Sequence, residues 1–138
     1  MKPILAVIFA ALSCYAQEKL TFDELYEDTG VLGLAFSQKV NSLSGREVVI
    51  DGFMAPPLKP MSNFFVLTKA PMAMCPFCSS DTDWSADILV VYLKSRQIFV
   101  QHNAIIRVKG VLEYGSWTDE KSGFVSLLRL RDATFETK

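Results

Sequence analysis

Ile105-Ile-Arg-Val-Lys-Gly-Val-Leu-Glu-Tyr114 alternates apolar and charged side chains, the pattern of a strand with one core face and one wet face. Ile106, Val108, Gly110, Leu112 and Tyr114 fall on one side, and Arg107, Lys109 and Glu113 on the other. Phe124 to Phe135 repeats the pattern, with Leu128 and Leu130 opposite Arg129 and Arg131. Upstream, Glu47 to Ala55, Asn63 to Lys69 and Asp87 to Leu93 read as three further strands, each bounded by turn residues. Ile88-Leu-Val-Val-Tyr-Leu93 is apolar without alternation, as expected of a strand covered on both faces.

The outer cover of that strand is expected from the N-terminal segment. Thr21-Phe-Asp-Glu24 fits a capping box, predicting a short helix that ends near Gly30. A second short helix is expected within residues 31–43, before the Ser44-Gly45 turn. Pro56-Pro57-Leu58-Lys59-Pro60 is a stiff turn between the first two strands. Gly52 and Gly110 fall inside strands, where a missing side chain permits the coiling that closes a small barrel. The expected fold is therefore mostly β: a five-stranded, partly open barrel of OB type with a short N-terminal helical cover. A sandwich would want about seven strands.

Residues 1–16 read as an export signal: Lys2, then an apolar run from Ile4 to Leu12, then small residues around Cys14-Tyr15-Ala16. The competing reading lipidates Cys14, which would tether the protein to a membrane, but Leu12 stands one place late for a good lipobox. Taking 16 residues from 138 leaves 122, one domain over residues 17–138. Only Lys2 is lost among the charges, leaving 13 basic against 15 acidic side chains and a net charge of −2. That balance gives no electrostatic footprint for nucleic acid. The expected location is the periplasm or cell envelope.

Ala70-Pro-Met-Ala-Met-Cys-Pro-Phe-Cys78 gathers the reactive side chains. Cys75 and Cys78 would close a disulfide loop of only about four residues, which removes little unfolded-state entropy, so fold stabilisation is a poor reason for the pair. Thiolates bind zinc or copper(I), and His102, the single histidine, with Asp81, Asp83 or water would complete a tetrahedral site. Met72 and Met74 are thioethers that copper(I) also accepts, although in an extended segment they face away from Cys75. With Met54 they otherwise read as fillers of irregular core gaps. Cys-Pro-Phe-Cys also looks like the active segment of glutaredoxin-like proteins, but no βαβ pattern precedes it, and the carboxylates after Cys78 raise a thiol pKa. A third reading makes the pair a local disulfide shaping a protein-binding loop. Phe64, Phe65 and Tyr114 are candidates for stacking platforms, read more simply as core. No phosphate-cradling glycine loop, H-E-x-x-H helix or G-x-S-x-G elbow is present in the sequence. The chain reads as a binding or accessory module rather than an enzyme, with a metal ion or an envelope protein as its partner.

Leu43-Ser-Gly-Arg-Glu-Val-Val-Ile-Asp-Gly-Phe-Met-Ala-Pro56, Asn63-Phe-Phe-Val-Leu-Thr-Lys69, Ile106-Arg-Val-Lys-Gly-Val-Leu-Glu113 and Leu130-Arg-Asp-Ala133 together resemble a group of small exported bacterial proteins of unknown function. The resemblance implies an OB-like core and, since some members are encoded beside metal-transport systems, a role in metal handling. Members often follow their first cysteine with a histidine and a proline run, where this chain has Pro76-Phe77-Cys78.

Overall fold

The computed structural model describes residues 17–28, 34–56, 63–71, 86–98, 100 and 103–138. Their elements are the strands β1 (Glu18–Leu20), β2 (Tyr26–Asp28) and β3 (Leu34–Phe36), helix α1 (Gln38–Leu43), and the strands β4 (Glu47–Met54), β5 (Phe64–Thr68), β6 (Ile88–Leu93), β7 (Ile105–Thr118) and β8 (Val125–Thr137). The fold is mostly β. Strands were expected where β4 to β8 lie, with β7 and β8 each running further than their alternation suggested, but the count of five is not met: among the described residues the main sheet has six strands, β1 included, and β2 and β3 form a separate pair.

β4 pairs antiparallel with β5, and β5 antiparallel with β6. β6 lies parallel to β8, β8 antiparallel to β7, and β7 antiparallel to β4 from Glu47↔Val111 to Phe53↔Ile105. The succession of pairings β4-β5-β6-β8-β7 thus returns to β4. β1 adds in parallel along the first half of β4, from Glu18↔Val48 to Leu20↔Ile50.

The helix expected after Thr21 is a single 3-10 turn over Phe22–Glu24, followed directly by β2, which pairs with β3. The capping interaction is present: the Thr21 N–H donates to Glu24 Oε2 at 3.0 Å. What stops the helix is competition for its carbonyls. Ser37 Oγ donates to Glu24 O at 2.6 Å, and Ser37 N–H donates to Leu25 O at 3.0 Å. Both acceptors would otherwise receive helical bonds four residues on. α1 falls in the segment where a second helix was expected, and the Ser37 hydroxyl caps it by accepting from Val40 N–H at 3.1 Å.

Leu20, Phe22, Leu25, Val40 and Leu43 pack into the same buried cluster as Ile50, Phe65, Leu89, Val91, Ile106, Leu112 and Leu130. The N-terminal segment therefore fills the interior and does not cover the outer face of β6. That face, Ile88, Val90 and Tyr92, lies under the β7–β8 hairpin. Phe124 joins a second cluster with Ala55, Val66 and Ile88. Phe64 sits 5.4 Å from Phe124 and 5.3 Å from Tyr92, whose ring meets Trp117 at 5.4 Å. The strand is covered on both sides as its composition required, but by a different part of the chain.

Both strand glycines stand at close approaches. A Cβ at Gly52 would sit 2.8 Å from Thr68 O, and one at Gly110 would sit 3.0 Å from Ala133 Cβ and Arg131 O. The second approach is created by a bulge. Between Lys109↔Thr134 and Val111↔Arg131 the β8 strand has one residue too many, and the same surplus shows against β6 between Val91↔Leu130 and Leu93↔Ala133. Asp132, at φ 48°, absorbs it.

Candidate functional site

Cys75, Cys78 and His102 lie outside the described residues, as do Met72, Met74, Asp81 and Asp83. The structure describes how the segments that carry them are mounted. Thr68 pairs with Ile88 on one side and Phe53 on the other, and Phe53 pairs in turn with Ile105. Ile88, Thr68, Phe53 and Ile105 therefore form one row across four strands. The cysteine connection leaves the sheet after Thr68 and returns before Ile88; the chain that carries His102 enters at Ile105. With strands about 4.8 Å apart, the Thr68 and Ile105 backbones are separated by about 10 Å.

The stem of the cysteine connection is firmly held. Thr68 is 1% exposed, and its hydroxyl lies 2.6 Å from Ala70 O and 3.2 Å from Phe53 O. Lys69 N–H donates to Asp87 O at 3.0 Å, one step beyond the last ladder pair. Lys69 Nζ pairs with Asp23 at 2.7 Å, and this contact raises the lysine pKa. On the opposite flank, Lys138 N–H donates to Ile105 O at 3.1 Å.

Two steps along the β4–β7 ladder, Asp51 accepts from Arg107 Nε at 2.8 Å and Arg107 Nη2 at 3.1 Å, and from Lys138 Nζ at 2.9 Å. The Arg107 hydrogen bonds, reinforced by Lys138 and opposed by burial, hold the Asp51 carboxyl down at about 2. With both oxygens engaged, Asp51 is a structural anion. Among the described residues, no group of three or more His, Cys, Asp or Glu side chains is arranged to hold a metal ion.

A second constellation, unread in the sequence, lies beneath the β7–β8 hairpin. Arg129, 6% exposed, donates from Nε to Glu113 Oε2 at 3.0 Å and from Nη1 to Gly115 O at 2.8 Å. Arg131 Nε faces the same Glu113 oxygen at 2.6 Å. Both guanidinium groups stand against Trp117, at 5.3 Å and 4.7 Å from the ring centre. Tyr92 lies under this group; burial first, then the negative charge of Asp119, push its hydroxyl up to about 12. The cluster is a lock. Glu113 pairs with both arginines, and the tyrosine stays protonated at neutral pH. The available signal was Glu113 facing Arg129 across the hairpin, legible only once the register of the β7–β8 ladder is known.

Of the aromatic platforms considered, Phe64 and Phe65 are buried, and Tyr114, 40% exposed, packs on Phe36 at 5.1 Å. Met54 is buried in the main cluster, the filler role expected of it.

Comparison with solved structures matches a DUF3299 family protein from Pseudomonas aeruginosa, with a TM-score of 0.60 over 89% of this chain and 97% of that one, at 14% sequence identity. No protein-family model matches the chain, and no curated protein matches it. Backbone likeness at so low an identity speaks to fold: the chain is built along the same lines as that bacterial protein.

Proposed function

We propose that this chain is an exported accessory protein in which the Cys75–Cys78 connection, with His102, binds a soft metal ion, zinc or copper(I), on the rim of a small OB-type barrel. The row Ile88–Thr68–Phe53–Ile105 carries the reading. It roots the two segments bearing thiols and imidazole in one row, two strands apart, with Cys75 seven residues beyond Thr68 and His102 three before Ile105. A carboxylate or water would supply the fourth position of a tetrahedral site. The OB reading is supported by the order of pairings, which returns to β4 with β6 and β8 parallel. Export rests on residues 1–16.

The covered outer face supports a role other than oligonucleotide binding. OB barrels take nucleic acid on the face of their second and third strands. Here the corresponding strands, β5 and β6, bury that face under the chain's own hairpin. The net charge of −2 points the same way.

The reading is tested by titrating the reduced mature protein with zinc and with copper(I) under native mass spectrometry, beside Cys75→Ser, Cys78→Ser and His102→Ala. One ion per chain, lost in either cysteine variant and weakened in the histidine variant, is the expected result. No metal, with a mixed disulfide trapped on a partner by Cys78→Ser, would replace it with thiol exchange. Neither outcome would leave a disulfide-shaped loop for protein contact.

A further inference from the structure

We propose that Gln17 becomes the mature N-terminus and closes to pyroglutamate in the cavity it lines. This rests on the export reading, in which the leader is cut after Ala16 and exposes a glutamine. The cavity measures about 340 Å³, and Gln17 shares its lining with Val49, Arg107, Lys109, Phe135 and Glu136. The next residue, Glu18, already pairs with Val48, so the ladder fixes the root of the segment and holds Gln17 at the cavity.

The step is an internal amide exchange. The α-amine attacks the side-chain Cδ; an N–Cδ bond forms, the bond to the side-chain nitrogen breaks, and ammonia leaves with the proton that the amine gives up. No oxidant, reductant or further reactant takes part. The amine must be unprotonated to attack, as a fraction of any α-amine is near neutral pH. Arg107 and Lys109 in the lining are each matched by a carboxylate, Asp51 at 2.8 Å and Glu47 at 3.4 Å. The lactam carries no charge. Its methylenes suit the apolar floor of Val49 and Phe135, and its carbonyl oxygen is an acceptor for the two cationic donors. A closed ring also denies aminopeptidases the free amine from which they would strip β1.

The test is intact mass and N-terminal sequencing of the full chain expressed with its own leader and purified from the envelope. The expected product spans residues 17–138 less one molecule of ammonia, is blocked to sequencing, and reads from Glu18 after pyroglutamyl aminopeptidase. Residues 17–138 with a free amine after prolonged incubation at neutral pH would overturn the proposal while leaving the leader reading intact. A chain that begins elsewhere would overturn both. Lys109→Glu, which adds negative charge to the lining, should slow closure by roughly tenfold for every pKa unit the α-ammonium gains; an unchanged rate would remove the cavity from the account.

Discussion

Asp51 grips Arg107 through two hydrogen bonds, Oδ1 to Nε at 2.8 Å and Oδ2 to Nη2 at 3.1 Å, across the seam where β4 meets β7. This pair sits on the ladder that returns the run of strands to its start, two steps from the row on which the cysteine and histidine segments are mounted. Its carboxyl titrates at about 2 in the folded chain against an ordinary 3.8. A lowered folded value means that the stabilisation is present above the unfolded pKa and is lost as pH falls through the folded one. Urea unfolding should therefore show stability declining from about pH 4 towards pH 2, with Asp51 contributing up to about 2 kcal/mol of the loss. Asp51→Asn should lower stability at pH 7 and flatten that acid slope.

At the alkaline end the sign reverses. Tyr92 titrates at about 12, chiefly because it is buried, against an ordinary 10.0. Its burial is tolerated below the unfolded pKa, and the stabilisation it represents is lost as pH rises through the window from 10 to 12. Tyr92→Phe should keep the Phe64 and Trp117 ring contacts and remove that alkaline decline, as read by unfolding across pH 9 to 12.

Gly52 and Gly110 are tight for different reasons, and their variants should separate the two. Gly52→Ala drives a Cβ to 2.8 Å from the Thr68 carbonyl, backbone that cannot step aside, and should cost about 2–3 kcal/mol. Gly110→Ala meets Ala133 Cβ and Arg131 O at 3.0 Å beside a bulge, where β8 can shift, and should cost about 1 kcal/mol. Equilibrium unfolding midpoints at constant m-value give the comparison.

Asp132 occupies the left-handed region at φ 48° with its side chain exposed. Asp132→Gly should stabilise the protein by up to about 1 kcal/mol, because glycine enters that region without Cβ strain. Asp132→Val should destabilise by about 1–2 kcal/mol, and thermal melts would show the two variants on opposite sides of wild type.

The strands were legible because period-two patterning reports which face is wet. Ile106, Val108 and Leu112 are buried while Arg107 and Lys109 stand outside between them, as the alternation required. The 3-10 turn after Thr21 was illegible because its fate depends on Ser37, which takes the carbonyls of Glu24 and Leu25 from 13 and 12 positions away. The hairpin lock was hidden for a related reason. Arg129 looks like a solvated strand residue until Glu113, Gly115 and Trp117 are folded against it. Arg129→Ala should consequently cost about 3–5 kcal/mol, far more than an exposed arginine, and Arg129→Lys should restore little because an ammonium lacks the guanidinium fork. Tryptophan fluorescence during unfolding would follow both.

The proposed metal site requires Cys75, Cys78 and His102, on segments rooted two strands apart in one row, to meet at one ion. X-ray absorption of the reduced, zinc-loaded protein tests it most directly. The account predicts two sulfur scatterers at about 2.3 Å and an imidazole nitrogen at about 2.0 Å, the nitrogen disappearing in His102→Ala. A spectrum without imidazole, or a protein that retains no zinc, would contradict it.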